Sequence, residues 1–485
     1  MDLVVSTSSG SVRGASAGNV CVFKGIPYAA PLDGPRRFQA PAAPEPWDGV
    51  RETTAFSASV PQATLLPGAS PWWTPDDDTD CLSVNVWSPD LGGGLPVMVW
   101  IHGGVYMGGT SDSPAFDGTR LAKAGVVVVT LNYRVGYEGF GWVADAPANR
   151  GILDQLAALR WVQDNIAGFG GDPGNVTIFG ESSGASSVAT LVAGSSDSGL
   201  FHRGIAQSVG SVFCPAEEAR KISDLIVGPL GVAATAEELG AVPSEAIHAA
   251  QQAVMVEQNQ NRAAWTNSTP FAVVPDGELL DDLPWVALRG GAGRDVELIS
   301  GYNTDEARMF TVDFPAELSD PAVLAHGLRL APSVLDEYRA AYRGITDVDL
   351  HSLVLSDQLF RMPSLWCAEG HALAGGRSYL YEFAWPSPAR GGAFGACHGL
   401  DVPFTFGVDR SDVTAQVFPD ETPEDFEVLS AELRESWVSF ATTGDPGWPA
   451  YAPDDRRARV WNVPSSVVED PIKASREIWQ HRFSG

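Results

Sequence analysis

Short apolar runs alternate along the chain with segments whose apolar residues recur at helical spacing. Residues 95–101 (LPVMVWI), 125–133 (GVVVVTLNY) and 176–179 predict strands. The run at 125–133 lacks the apolar–polar alternation of a half-exposed strand, so we expect it to be buried on both faces. Strands that alternate with helices are typical of a mostly parallel central sheet flanked by helices, which places the chain in the α/β class.

Two helices are predicted around these strands. The segment NRGILDQLAALRWVQDNI carries Ile152, Leu156, Leu159 and Val162 at helical spacing. Asn149 precedes this helix and has a side chain of the type that caps helices. The segment GESSGASSVATLV predicts another helix, which the chain enters through a tight bend directly after a strand.

Two further stretches are rich in helical pattern and predict insertions into this framework. Ala, Glu and Gln become frequent after residue 215, and we expect helical cap insertions at 215–290 and 316–390. No repeat and no flexible linker separates them from the rest. The prediction is therefore a single domain over residues 1–485 with helical cap insertions.

Composition and charge narrow the range of functions. The 485 residues are 44% hydrophobic, and 31 basic against 60 acidic residues give a net charge of −29. This charge repels phosphate groups, so we expect neither a nucleic-acid partner nor binding to anionic membranes. No apolar run approaches the roughly 18 residues of a membrane helix, and no secretory signal is recognisable at the amino terminus. The expectation is a cytoplasmic protein whose five scattered cysteines are reduced and bind no metal.

The strongest chemical signal is a G-x-S-x-G motif. Gly180 and Gly184 flank Ser182 between a predicted strand and a predicted helix. Such glycines allow a strained turn that exposes a serine hydroxyl as a nucleophile. A serine of this kind needs a base and hydrogen-bond donors for an oxyanion. The glycine-rich segment HGGVYMGG follows the strand at 95–101 and could supply these donors, or it could be an ordinary glycine turn.

At this point the chain resembles the type-B carboxylesterase family, which has the α/β-hydrolase fold and includes bacterial p-nitrobenzyl esterases and animal cholinesterases. The similar blocks occur in the family's order along nearly the whole chain: FKGIPYAAPLDGPRRFQAP, DCLSVNVWSP, VWIHGG, LNYRVGYEGF, NRGILDQLAALRWVQDNIAGFGGDPGNVTIFGESSGA, FHRGIAQS, GYNTDEA, HGLDVPFTFG and ATTGDPGWPAY. Several long motifs in one order are far more specific than a single short pattern.

The resemblance implies the partners of the nucleophile. The family's catalytic acid falls on Glu306 in GYNTDEA, and its base falls on His398 in CHGLDVPFTFG. The chain order Ser, acid, His agrees with the usual arrangement in this fold. The implied oxyanion donors are the N–H groups of Gly104, Val105 and Ala185. Ser208 matches a family serine that supports the acid and the histidine, although a loop serine bonded to nearby backbone is an equal alternative.

The sequence departs from the family pattern at three places. Val105 replaces the third glycine of H-G-G-G, and its branched side chain is expected to make esters of bulky tertiary alcohols poor substrates. Ala307 replaces the glycine that usually follows the acid. In secreted relatives the cysteine at Cys81 forms a disulfide, but its partner position is Val60 here, in agreement with a reducing compartment.

The substrate and some alternatives stay open at this level. Candidate pocket residues are Trp73, Tyr106, Phe213, Phe310 and Phe406, although buried core aromatics are equally expected. No cofactor or metal is implied, because no ligand cluster, dinucleotide fingerprint or P-loop is present. The favoured function is a serine carboxylesterase acting on small-molecule esters. The alternatives are an acyltransferase, an amide, carbamate or lactone hydrolase with the same triad, and a non-catalytic binding protein of the same fold. Oligomeric state cannot be read from the sequence.

Overall fold

The computed structural model describes residues 3–64, 71–260, 269–313, 320–411, 414–418 and 421–482 and contains an 11-stranded sheet. The strands are β1 (Val4–Ser6), β2 (Ser11–Arg13), β3 (Ala15–Ala17), β4 (Val20–Pro27), β5 (Val50–Glu52), β6 (Ser83–Ser88), β7 (Leu95–Ile101), β8 (Val127–Leu131), β9 (Gly171–Glu181), β10 (Arg203–Gln207), β11 (Glu297–Asn303), β12 (Ser378–Phe383), β13 (Arg457–Trp461) and β14 (Ser466–Glu469). The order in the large sheet is β14-β13-β12-β11-β10-β9-β7-β8-β6-β4-β3, and β1, β2 and β5 form a separate sheet.

Helices cover this framework. They are α1 (Thr119–Lys123), α2 (Gly136–Phe140), α3 (Arg150–Asn165), α4 (Ser183–Ser195), α5 (Ala216–Leu230), α6 (Ala236–Gly240), α7 (Ser244–Gln260), α8 (Pro284–Arg289), α9 (Arg308–Thr311), α10 (Pro321–Gly327), α11 (Pro332–Ala341), α12 (Asp347–Ser356), α13 (Met362–Leu373), α14 (Asp401–Phe406), α15 (Thr414–Val417), α16 (Phe426–Thr443) and α17 (Lys473–Trp479). A π-helical turn at Asp357–Arg361 joins α12 to α13. Short 3₁₀ turns lie at Gly34–Arg36, Pro114–Phe116, Ile166–Phe169, Ser196–Ser198 and Ala389–Gly392.

The middle of the large sheet is parallel, as the sequence predicts. Strands β8, β7, β9, β10, β11, β12 and β13 are joined by parallel pairings. Antiparallel pairings occur only toward the two edges, where β6, β4 and β3 extend one side and β14 the other. The carboxyl ends of the parallel strands therefore share one edge of the sheet, which is where ligands bind in such folds.

The predicted strands match the observed ones closely. The run at 95–101 coincides with β7, and the run at 125–133 contains the shorter β8. Residues 171–175 (GDPGN) lie within β9. There the pairing register jumps from Leu95–Gly171 to Val97–Val176, so the residues between Gly171 and Val176 form an irregularity in the strand. The chain stays in the sheet on both sides of this irregularity.

Successive side chains of the central strands point to opposite faces of the sheet and pack into two hydrophobic cores, one on each face. In β7, Val97, Val99 and Ile101 belong to the larger core, while Met98 and Trp100 belong to the smaller one. All five side chains are buried to within 1% exposure. A strand buried on both faces explains why the sequence there is a continuous apolar run.

Asn149 occupies the position before α3, but its side chain does not cap the helix. Its φ of 53° turns the amide away from the helix. The amide nitrogen donates to the carbonyl oxygen of Val274 at 2.8 Å and to Asp276 at 3.0 Å, and its oxygen accepts from the N–H of Val274 at 2.9 Å. The predicted cap is therefore wrong, and Asn149 instead ties α3 to a distant segment of the chain.

The two helical stretches predicted as insertions differ in how well their boundaries match. Helices α5 to α8 lie within 215–290. The stretch 316–390 contains α10 to α13, but it also contains β12, which pairs with β11 in the central sheet. The helical part of this second stretch therefore ends before β12. In the described part of the chain, no helix is both long and apolar enough to cross a membrane.

Candidate active site

The G-x-S-x-G motif forms a sharp turn between β9 and α4. Ser182 has φ 59° and ψ −125°, a conformation that side-chain-bearing residues rarely adopt. A Cβ atom on Gly184 would lie 2.1 Å from the carbonyl oxygen of Ile101, and one on Gly180 would lie 2.6 Å from the same atom. Glycine is required at both positions because the backbone of β7 passes directly against the turn.

The hydroxyl of Ser182 points at the imidazole of His398. Its Oγ donates to Nε2 of His398 at 2.9 Å, and Nδ1 of His398 donates to Glu306 Oε2 at 2.6 Å. Glu306 is fully buried, and its other carboxylate oxygen accepts from the N–H of Asn303 at 2.8 Å. The arrangement is a serine hydroxyl bonded to an imidazole that a buried carboxylate orients, which is the geometry that nucleophilic catalysis by serine requires.

These three side chains come from loops at the carboxyl ends of parallel strands. Ser182 follows β9, Glu306 follows β11, and His398 lies between β12 and α14. Asn303 links two of the loops, since its side-chain amide donates to the carbonyl oxygen of Cys397 at 2.6 Å. Ala307, which replaces the family's glycine, has φ −83° and ψ −4°. This backbone suits any residue, so the substitution leaves the acid loop undisturbed.

Glu181 is a further acidic group at the site, and the sequence analysis did not identify it. Its Oε1 atom lies 3.1 Å from Nε2 of His398. Burial raises the pKa of Glu181 to about 8, although the positive charge of His398 opposes this. The only sequence signal was its place directly before the nucleophile, which any strand residue could occupy.

The pKa of His398 is raised to about 9. Burial lowers this pKa, but the negative charges of Glu181 and Glu306 and the hydrogen bond that His398 donates to Glu306 outweigh it. Asp401 contributes in the same direction from α14. Its own pKa is raised by burial, while its Oδ2 accepts hydrogen bonds from Gln207 and Tyr381, both at 2.8 Å. The site thus stabilises a protonated imidazole.

The HGGVYMGG segment packs against the turn that carries Ser182. Gly104 has φ 118°, and a Cβ atom there would lie 2.0 Å from the carbonyl oxygen of Gly108. Val105 follows with φ 51°, which is strained for a β-branched residue. Within the described residues, the N–H groups of Gly104 and Val105 have no hydrogen-bond acceptor. Ala185 is fully buried in the first turn of α4, three residues after Ser182. These are the features required of oxyanion donors.

A cavity of about 350 Å³ opens onto Ser182 and His398. Its apolar lining comprises Val105, Val212, Met309, Phe310, Leu359 and Phe360. Of the five aromatic residues that the sequence offered as pocket candidates, Phe310 lies in this lining. The sequence analysis missed Met309, although its place three residues after Glu306 was a signal. It also missed Val212, Leu359 and Phe360, which reach the site only through the folding of distant segments.

The other four aromatic candidates do not line this cavity. Phe406 packs edge-on against Trp100, at 5.0 Å between ring centroids, in the smaller of the two cores. Phe213 packs edge-on against Trp285 at 5.6 Å. Half-buried Trp73 contacts His248 of α7. Tyr106 is fully buried, and its hydroxyl pairs with Ser187 at 3.1 Å. Each of these side chains serves packing, because its ring is occupied by a protein neighbour.

Ser208 does not support the acid or the histidine in this structure. Its N–H donates to the carbonyl oxygen of Gly301 at 2.8 Å, and its backbone has φ 61°. The hydroxyl is buried and makes no hydrogen bond to any described residue. The supporting role that the resemblance implies therefore has no contact here to carry it.

The cysteines of the chain are all free thiols. Cys81 and Val60 are both buried, so the position of the family's disulfide partner is filled by an apolar side chain. Burial raises the pKa of Cys397, next to His398, to about 12, which keeps it a thiol. Among the described residues, no group of three or more His, Cys, Asp or Glu side chains could hold a metal ion.

Residues 1–463 match the model of the carboxylesterase family. This chain belongs to the carboxylesterase family. It is 33% identical over 487 residues to the para-nitrobenzyl esterase of Bacillus subtilis (strain 168), covering 98% of both chains. It is 34% identical to the fumonisin B1 esterase of Sphingopyxis macrogoltabida over 495 residues, covering 96% of this chain and 87% of the relative.

Solved structures agree with the sequence comparisons. The carboxylesterase EST55 of Geobacillus stearothermophilus superposes with a TM-score of 0.86 at 34% identity, covering 98% of this chain and all of that one. The fold is therefore the α/β-hydrolase fold, as the sequence predicts. As a member of the carboxylesterase family, this chain is an enzyme that hydrolyses carboxylic esters.

Proposed function

We propose that Ser182, His398 and Glu306 form the catalytic triad of this carboxylesterase, and that ester hydrolysis proceeds through an acyl-enzyme. The observation that carries the proposal is the unbroken chain of hydrogen bonds from Ser182 Oγ to His398 at 2.9 Å and on to Glu306 at 2.6 Å. This chain opens onto the cavity rather than into the core.

The reaction follows from this geometry. Ser182 Oγ attacks the ester carbonyl carbon while its proton passes to Nε2 of His398, and Glu306 stabilises the imidazolium through Nδ1. The N–H groups of Gly104, Val105 and Ala185 donate hydrogen bonds to the carbonyl oxygen and stabilise the negative charge that forms on it. His398 then protonates the leaving alcohol as the carbon–oxygen bond breaks. Water repeats the sequence on the acyl-enzyme, which releases the acid and restores the serine hydroxyl.

The size and lining of the cavity favour small to medium neutral esters as substrates. Its volume of about 350 Å³ and largely apolar lining suit an alkyl or aryl acyl group. Glu181 is the acidic side chain on its wall, and the chain carries a net charge of −29. Both features disfavour esters that carry a carboxylate near the scissile bond.

The test compares purified wild type with Ser182→Ala on p-nitrophenyl esters from acetate to dodecanoate. The variant is expected to lose kcat by about 10⁴-fold or more. Ser198→Ala, which removes an exposed hydroxyl in the 3₁₀ turn after α4, is the matched control and should retain wild-type rates. A fluorophosphonate should label wild type at Ser182, and product analysis with added alcohols distinguishes hydrolysis from acyl transfer. A folded wild type that neither turns over nor becomes labelled would contradict the triad.

We also propose that the enzyme works in the cytoplasm. The proposal is supported by the free state of all five cysteines and by the apolar residue at the position of the family's disulfide partner. Fractionation of cells that produce the native chain, followed by esterase assay of each fraction, tests it.

A further inference from the structure

An unusual helical turn lies beside the active site. In the π-helical turn Asp357–Arg361, the N–H of Met362 donates to the carbonyl oxygen of Asp357, five residues back. Pro363 follows and explains the widening, because a proline ring clashes with the carbonyl four residues before it, here that of Leu359. The displaced Leu359 carbonyl accepts instead from the N–H of Ser211 at 2.8 Å. Turns of this type occur frequently at functional sites.

The turn is held rigidly from within the protein. Asp357 and Arg361 form an ion pair at 3.1 Å, and their side chains are 0% and 5% exposed. The hydroxyl of Tyr338 donates to Asp357 Oδ2 at 2.5 Å and accepts from the indole N–H of Trp479. These contacts tie the turn to α11 and α17, so its side chains are fixed relative to the sheet.

Phe360, within this turn, lies face to face with the catalytic base. Its ring centroid is 4.0 Å from that of His398, with an interplanar angle of 29°. Phe310 is farther from the same imidazole, at 5.7 Å and 51°. Phe360 is 7% exposed and lines the cavity. The face of an aromatic ring carries negative electrostatic potential, which attracts a cation stacked on it.

We propose that Phe360 is a positioning residue for His398: its ring fixes the plane of the imidazole between Glu306 and Ser182 and favours the imidazolium that forms during attack. The inference rests on the triad proposed above. It assigns the π-helical turn a function, namely to deliver one aromatic face to the base at a stacking distance.

Three carboxylates also act on His398 and raise its pKa. Glu181 faces it from β9, Glu306 from the loop after β11, and Asp401 acts from α14. Loss of the ring would leave these charges in place. A cation–aromatic contact of ordinary strength therefore corresponds to a shift of about half a pH unit.

The experiment measures kcat and kcat/KM against pH for wild type and Phe360→Leu on p-nitrophenyl acetate. Loss of the ring should lower kcat about tenfold by loosening the imidazole, while KM changes little. Because the imidazolium loses stabilisation, the acidic limb of the profile should move to lower pH by about half a unit. Phe360→Tyr, which keeps the aromatic face, should restore both properties. Phe360→Met replaces the leucine variant if the latter does not fold, with the same expectations.

Leu359→Ala is the matched control, because Leu359 belongs to the same turn and lines the same cavity but has no ring. It should leave the acidic limb in place. The inference is overturned if the limb of Phe360→Leu stays fixed or moves to higher pH, or if Leu359→Ala moves the limb to lower pH as far as Phe360→Leu does.

Titration of the His398 ring by NMR separates this inference from the proposed function, because it requires no turnover. An inactive wild type whose His398 pKa still falls in Phe360→Leu would contradict the proposed function and leave the stacking effect established. Normal turnover with an unchanged His398 pKa in that variant would overturn the role of Phe360 alone.

Discussion

Nε2 of His398 lies 3.1 Å from Glu181 Oε1 and 2.9 Å from the hydroxyl of Ser182. In the proposed mechanism, the nitrogen that takes the serine proton is therefore also close to a second carboxylate besides Glu306. A base so placed holds its proton more tightly, which raises the pH at which it becomes free to act.

Glu181→Gln should move the acidic limb of the kcat/KM profile to lower pH. The negative charge of Glu181, together with Glu306 and Asp401 and against the effect of burial, raises the pKa of His398 to about 9. Only the neutral imidazole accepts the serine proton, so lowering its pKa extends activity toward acid. Profiles of wild type and variant on one ester check this, with Glu278→Gln, an exposed carboxylate, as the control. An unmoved limb would mean that Glu181 is uncharged throughout the working range.

Val105→Gly should open the site to esters of tertiary alcohols. The β-branched side chain of Val105 lines the cavity beside Ser182 and sits at φ 51°, which glycine adopts without strain. The ratio of rates on tert-butyl and ethyl esters of one acid should be low in wild type and rise about tenfold or more in the variant. Val105→Ala, which keeps the Cβ atom, should fall between them. Equal ratios in wild type and Val105→Gly would contradict the steric role.

Gly184→Ala should damage both stability and activity. Its new Cβ atom would lie 2.1 Å from the carbonyl oxygen of Ile101, so β7 or the serine turn must shift. We expect a loss of about 2 kcal/mol or more in the free energy of unfolding, with kcat greatly reduced. Gly228→Ala in α5 is the control, because a Cβ atom there meets nothing within 4 Å. That change should leave the ester activity at the wild-type level. Urea denaturation and the ester assay measure both.

Asn149→Gly should loosen the attachment of the segment around Val274 to α3. The substitution removes three hydrogen bonds of the Asn149 side chain without straining its φ of 53°. The expected loss is about 1–3 kcal/mol in the free energy of unfolding, because a buried carbonyl and N–H of Val274 lose their partner. Asn149→Asp keeps the acceptor oxygen but sets a carboxylate oxygen against the Val274 carbonyl and the Asp276 carboxylate, so it should lose at least as much. An Asn149→Gly variant as stable as wild type would contradict the role of these hydrogen bonds.

Much of the framework was readable from local pattern. Apolar runs predicted β7 and β8 because a strand buried on both faces has few polar residues. Glycines marked the serine turn because the close approach of Ile101 leaves no room for a Cβ atom. The predicted helix cap at Asn149 was wrong, because its side chain bonds instead to Val274, which lies near it only in the folded protein.

The sequence by itself determined the α/β class, the family, and which serine, acid and histidine stand in its motifs, because these depend on residue type and order along the chain. Only the tertiary structure decided that Glu181 and Phe360 face His398, that the buried Ser208 hydroxyl makes no hydrogen bond to a described residue, and that Phe406 packs in the same core as Trp100. Such contacts join residues far apart in the chain, and their distances follow from how the sheet and the helices pack. No spacing within one segment encodes them.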